Sequence, residues 1–153
     1  MKKLLILVFA GMLASCSYGQ KLNEANVPSN VKIKMVASFP DAKSVKWSKE
    51  DNNFEAEFTL NKQEMSCVIS ATAELLETET EMAVKDLPAN IKSNIETTYP
   101  GSKINEAAKI EKKGIITYEA EAKIGADSYD LIYDKDGIFI SKTKNSEADE
   151  DKD

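Results

Sequence analysis

The chain carries one pattern twice, and that repeat limits the folds open to it. VPSNVKIKMVASFP at 27–40 aligns with LPANIKSNIETTYP at 87–100. FEAEF at 54–58 aligns with YEAEA at 118–122, and MSCVI at 65–69 with YDLIY at 129–133. The copies run over 27–80 and 87–144. A repeated supersecondary unit points to one fold built by duplication.

Each copy opens with a helix. Val27, Val31, Met35 and Phe39 fall four apart, as do Leu87, Ile91, Ile95 and Tyr99. That spacing draws a narrow apolar stripe down one helix face. Pro28 and Pro88 suit a first turn, where a missing N–H costs little. Pro40 and Pro100 stop the helices, because the residue before a proline is pushed out of the α region. Two helices of about ten residues result, facing one common surface.

Four strand-like segments follow each helix: 44–48, 54–60, 64–70 and 74–80, then 104–110, 115–124, 128–134 and 138–143. EDNN, NKQ, EKKG, GAD and DKDG separate them as turns, so the strands form antiparallel hairpins. Alternation sends Phe54, Ala56, Phe58 and Leu60 to one face, with Tyr118, Ala120, Ala122 and Ile124. The expected fold class is α+β: two tandem α-β-β-β-β repeats, one antiparallel sheet of about eight strands, and both helices on one face. Ile91, Ile95, Val31 and Met35 are expected to pack against Phe58, Ala120 and Leu131.

At these residues the chain resembles a known family, the PepSY-like, beta-lactamase-inhibitor-like exported proteins of Bacteroidetes. The likeness rests on Val27-Pro28 and Leu87-Pro88, Phe39-Pro40 and Tyr99-Pro100, VKW from Val45, FEAEF, YEAEA and the turn at Asp136-Gly137. It spans nearly all of the chain after the leader, and its motifs are structural rather than catalytic. It implies an exported binding module. The copies have diverged at one turn, where the first has Ala71-Thr72-Ala73 and the second Asp136-Gly137.

The first residues point to export. Lys2 and Lys3 precede an apolar stretch at 4–13 that is too short to span a bilayer. LASC at 13–16 matches a lipobox, which makes Cys16 the lipidated first residue of the mature chain; the alternative is cleavage after Gly19. Residues 1–19 then form the signal peptide, and 20–145 a single domain of about 125 residues, an ordinary size for one core. The tail SEADEDKD at 146–153 lacks apolar anchors and reads as an acidic disordered end.

Composition excludes several functions. The chain has 26 Asp and Glu against 20 basic residues, a surface unsuited to nucleic acid. Every basic residue is Lys, so the arginine fork for phosphate is missing, as is histidine, the commonest general base and metal ligand. Cys67 is the one cysteine beyond the leader, which rules out a disulfide within the mature domain. Flanked by Met65 and Ile69, it reads as a buried thiol. Trp47, sharing a strand face with Val45, reads as core packing. DKDG at 134–137 is a hairpin turn, since Ile132 and Thr143 stand where an EF-hand needs acidic ligands.

What remains is a carboxylate row. Glu55, Glu57, Glu119, Glu121 and Asp130 all fall on the face opposite the helices. An exposed sheet face needs polar residues in any case, but here both copies choose acids. The row is the candidate binding face, with no catalytic residue, metal or cofactor assigned. The expected function is that of an exported, non-enzymatic envelope module binding a protein or small ligand through its sheet, touching membrane only through a lipid anchor. Regulation or inhibition of a peptidase or other hydrolase is the alternative that the family likeness implies. A hydrolase using the sheet glutamates is a third.

Overall fold

The computed structural model describes residues 20–145, apart from the side chain of Glu50. The leader, Cys16 and the acidic tail lie outside the described residues. The elements in chain order are β1 (Gln20–Leu22), a 3-10 turn (Glu24–Asn26), α1 (Ser29–Ser38), β2 (Lys43–Glu50), β3 (Asn53–Leu60), β4 (Gln63–Ser70) and β5 (Leu75–Met82). A second 3-10 turn (Val84–Asp86) follows, then α2 (Ala89–Thr98), β6 (Lys103–Lys112), β7 (Ile115–Ile124), β8 (Asp127–Asp134) and β9 (Phe139–Lys144). The strands form one antiparallel meander in sequence order, and the two helices lie on one side of it.

The sheet has nine strands rather than eight. The extra one, β1, is only three residues long and pairs Leu22 with Trp47. QKL offers no alternation to read, and the strand exists because Leu22 reaches the first core. Both helices begin directly after their prolines, whose carbonyls accept the first turn's N–H groups, and they end at Ser38 and Thr98, with the residues before the second prolines, Phe39 and Tyr99, as their C-caps.

β5 belongs to both copies. Leu75 to Thr80 pair with β4, and Glu77 to Met82 pair with β6. By repeat alignment its first part corresponds to β9 and its last part to β1, so each copy is a helix with four strands plus a borrowed edge. Register shifts recur in the same places of both copies: in β2 and β6, and at the ends of the β4–β5 and β8–β9 pairings. The shift in β2, where Ser44 has φ 57, turns Val45 out to 37% exposure while Trp47 stays buried at 7%. Val45 and Trp47 therefore do not share a core face: the bulge breaks the alternation between them.

The helices do not share one core. Val31 and Met35 pack with Trp47, Phe54, Ala56, Phe58, Cys67 and Ile69 in a first cluster. Ile91 and Ile95 pack with Ala107, Ala120, Ala122, Leu131 and Tyr133 in a second. Volume is redistributed between matched positions. Where the first copy has Trp47, Phe58 and Ile69, the second has Ala107, Ala122 and Tyr133. Phe39 stacks obliquely on Phe58 at 4.7 Å, and Tyr133 meets Phe139 edge-on at 5.6 Å.

The turns that diverge in sequence keep one backbone. Ala73 (φ 64) donates its N–H to the Ser70 carbonyl at 2.9 Å, and Gly137 (φ 80) donates to the Asp134 carbonyl at 3.0 Å. Asn30 and Asn90 clamp these turns to the helices through the carbonyls of Ala71 (2.9 Å) and Asp136 (2.7 Å). A Cβ at Gly137 would meet the Asn90 carboxamide, so a larger residue there has to displace the Asn90 side chain from its clamp.

Ile95 is fully buried. Ile95→Ala should destabilise the protein by about 2–5 kcal/mol through the cavity it leaves. Ile33→Ala, at a site 68% exposed, should stay within about 0.5 kcal/mol of the unaltered protein. Urea titrations of both variants check the pair.

Candidate functional site: an acidic lane across the open sheet face

The face opposite the helices is a lane of carboxylates. On β3, Glu57 pairs with Lys46 and Ser66, and Glu55 with Ser48 and Val68. On β7, Glu119 pairs with Ala108 and Ile132, and Glu121 with Glu106 and Asp130. β3 and β7 are separated by three strands, so the two groups lie about 19 Å apart at the usual spacing. They do not adjoin.

Shared strand β5 bridges them. Glu77, Glu79 and Glu81 point to the same face: Glu79 pairs with Ser66, the neighbour of Glu57, and Glu81 with Ala108, the neighbour of Glu119. These three glutamates escaped the sequence reading. LETETEM is polar on both faces, so its alternation does not say which side faces the helices. Only the register with Cys67, which pairs with Thr78, decides it.

The lane is uneven in burial. Glu57 is exposed, Glu55 half-buried and bonded by the Ser48 hydroxyl at 2.8 Å. Toward the centre burial increases: Ala108 and Ile110 are buried although neither helix lies on this face, and Asp130 is only 8% exposed. Asn145 donates to Asp130 Oδ1 at 3.0 Å. Glu119 Oε2 is fully covered and has no hydrogen-bond partner among the described residues. Lys112 neutralises Glu77 at 2.8 Å. A shallow groove at the end of the lane is lined by Glu81, Met82, Ala83, Val84, Asn105, Glu106 and Ala107.

Burial and crowding hold protons on the centre of this face. Burial, then Glu77, Glu55, Glu81 and Asp130, pushes Glu79 from 4.5 up to about 7. Burial, then Glu79, Asp130, Glu121 and Glu77, pushes Glu119 from 4.5 up to about 8. Asp130 is raised by burial and by Glu121, against the lowering effect of Asn145; Glu81 is raised by burial, Glu64 and Glu106. At neutral pH Glu119 is therefore mostly the neutral acid, and its covered oxygen is tolerated on that account. On the helix side, Cys67 is buried, and burial pushes its thiol up to about 12, the behaviour of an inert packing group. The DKDG segment is a capped turn: Asp134 Oδ1 accepts the N–H groups of Asp136 (2.9 Å) and Ile138 (2.8 Å).

The family profile described as "Putative beta-lactamase-inhibitor-like, PepSY-like" matches residues 14–77 and again 71–141. The chain belongs to this family. The two matches overlap at residues 71–77, the β4–β5 turn and the start of β5. Several crystal structures share the fold. Among them, one described as "putative periplasmic proteins" from Bacteroides eggerthii aligns with TM-score 0.74 at 14% identity, covering 81% of this chain and 93% of that one. A BLIP-like protein of Bacteroides fragilis aligns with TM-score 0.67 at 18% identity, covering 80% and 89%. No curated protein matches the chain.

The raised carboxyls make stability depend on pH with a definite sign. Unfolded, both glutamates release their protons near 4.5; folded, they hold them to about 7 and 8. Their stabilisation is thus full below about pH 4.5 and is lost as pH rises to about 8. Glu119→Gln should leave the urea midpoint at pH 5 nearly unchanged and raise it at pH 8.5. Equal shifts at both pH values would mean that the carboxyl is not buried as described.

Proposed function

We propose that this protein is an exported, non-enzymatic binding module of the cell envelope, held at a membrane by lipid on Cys16, that captures a basic protein or small cationic ligand on its acidic sheet face. The observation that carries the reading is the continuity of the lane. Glu55 and Glu57 on β3, Glu77, Glu79 and Glu81 on β5, and Glu106, Glu119, Glu121 and Asp130 on β6 to β8 share one face that no helix or strand among the described residues covers. A row of like charges on a folded face lowers stability, by a few tenths to about 1 kcal/mol for each directly opposed pair such as Glu121 and Asp130. A basic partner offsets that repulsion and is steered to the face by its field.

A second reading, inhibition or regulation of a peptidase or other hydrolase, is favoured by the family description and by the BLIP-like fold relative. The export reading draws on the basic and apolar leader with LASC, and on the periplasmic description of the Bacteroides eggerthii relative.

Pull-down from envelope extract supplies the partner. Against it, Glu57→Gln with Glu121→Gln should leave the domain folded, weaken association and flatten its salt dependence. Association of the unaltered protein should strengthen between pH 6 and 9, as Glu79 and Glu119 lose their protons. An affinity and salt response untouched by the double substitution would move the site to the loops or the helical side. Detergent-phase partitioning of the wild-type protein and Cys16→Ala checks the anchor: the wild type is expected in the detergent phase and the variant in the aqueous phase.

A further inference from the structure

The internal repeat supplies a comparison for each surface position, and the outer face of α1 is one of those where the copies differ: Ile33 and Val36 are exposed there, as Ile115 and Ile138 are elsewhere in the second copy. At about 100° per residue, Val31 and Met35 face the core, so Ile33, Val36 and Ala37 form the outward stripe of α1, with Lys32 on one flank and Lys34 on the other. Ile33 is 68% and Val36 63% exposed. The matched positions of α2 are Ser93, Glu96 and Thr97, flanked by Lys92 and Asn94. Both helices are ten residues long, sit on the same side of the sheet and bury the same two positions. α2 is what this helix looks like when its outer face meets only water. At 33, 36 and 37 α1 is apolar where α2 is polar, while the first turn runs the other way with Ser29 against Ala89; one polar flank has become a second lysine, and α1 holds no acid.

A short apolar stripe between lysines is the pattern of a helix lying on an anionic membrane: the apolar side chains enter the interface, and the lysine stems lie along it with their charges at the headgroups. The chain's geometry favours the same occupant. Cys16 precedes Gln20, the first residue of β1, by four residues, a reach of at most about 14 Å. β1 leads through one 3-10 turn into α1, and Lys32 Nζ donates back to the Glu24 carbonyl of that turn at 3.3 Å. The described chain therefore starts at β1, in the same half of the sheet as α1. A lipid on Cys16 would tether the bilayer within that short reach of β1, on the α1 half rather than the α2 half. Membrane association by acyl chains is strengthened by such a second, electrostatic contact.

We infer that the outer face of α1 is a membrane-docking surface, with Ile33, Val36 and Ala37 seated in an anionic lipid interface beside the anchored Cys16. This inference rests on the lipid-anchor reading proposed above. Docked this way, the protein turns its helix layer to the lipid and its acidic lane, on the opposite side of the sheet, toward the aqueous space. The anionic surface repels that lane and reinforces the same orientation.

Site-specific labelling tests the docking. The exported chain, purified as cells process it, is placed on vesicles of phosphatidylcholine with phosphatidylglycerol or of phosphatidylcholine alone. Ala37→Cys and the matched Thr97→Cys are reacted with a charged maleimide; Cys67, at 1% exposure, stays silent. On anionic vesicles the site at 37 should label about tenfold more slowly than the site at 97, the ratio that a preference of about 1.4 kcal/mol for the docked state gives. Protection should weaken on phosphatidylcholine alone. It should vanish when Ile33→Ser and Val36→Glu give α1 the residues of α2. Equal labelling at 37 and 97 on protein that floats with the vesicles overturns the docking while leaving the anchor standing. Protein that does not float refutes the anchor and the docking together. Protection at 37 that persists in detergent micelles and fades on dilution would assign the face to a second copy of the chain instead.

Discussion

The double pairing of β5 is the interaction on which the rest depends. Each copy alone is a helix over four strands with an open edge, and an open edge leaves a row of backbone N–H and C=O groups unpaired. β5 closes the right edge of one copy and the left edge of the next with a single eight-residue strand, pairing Leu75 to Thr80 on one side and Glu77 to Met82 on the other. Two separate apolar clusters, one under each helix, are thereby held in one sheet without a joint core. The same strand carries Glu77, Glu79 and Glu81, which turn two distant pairs of acids into one lane. Architecture and candidate function thus meet in residues 75–82.

The lane sets an electrostatic cost against a capacity to bind. Opposed Glu121 and Asp130, and Glu121 and Glu106, are arrangements that a sheet optimised for stability avoids. The fold contains the repulsion in three ways. Lys112 neutralises Glu77, Asn145 bonds Asp130, and Glu79 and Glu119 retain protons near neutrality. The last of these gives the face a charge that varies in the range where ordinary carboxylates do not titrate. On the other side of the sheet, the outer face of α1 carries Ile33 and Val36 between two lysines where α2 is polar, so an acidic face and a partly apolar, basic helix face lie back to back.

Most of the fold was legible because its signals are local. The four-residue spacing from Val27 to Phe39, and from Leu87 to Tyr99, marks helices that the prolines delimit, and FEAEF and YEAEA alternate cleanly. The structure departs from that reading where local pattern is silent. β1 is three residues long and is recruited by Leu22 packing on the first core. The bulge at Ser44 rotates Val45 out of the core, and nothing in KSVKW announces it. Glu55, Glu57, Glu119, Glu121 and Asp130 could be assigned to the open face from their apolar neighbours. Glu77, Glu79 and Glu81 could not, because threonines alternate with them and both faces of β5 are polar. Burial at Glu119 and Asp130 was equally hidden: it arises from strands adjacent in space, and alternation alone made them surface residues.

The central claim is that β5 fuses the copies into one cooperative sheet. Native-state hydrogen exchange in rising urea tests it most directly, by comparing amides of β3, β5 and β7. A shared strand predicts that the most protected amides of all three converge on one opening free energy and respond to urea together, since neither half can open without exposing the edge of the other. Amides of β7 that open at a clearly lower free energy, while β3 and β5 stay closed, would contradict it: the second copy would then be an independent unit resting against the first.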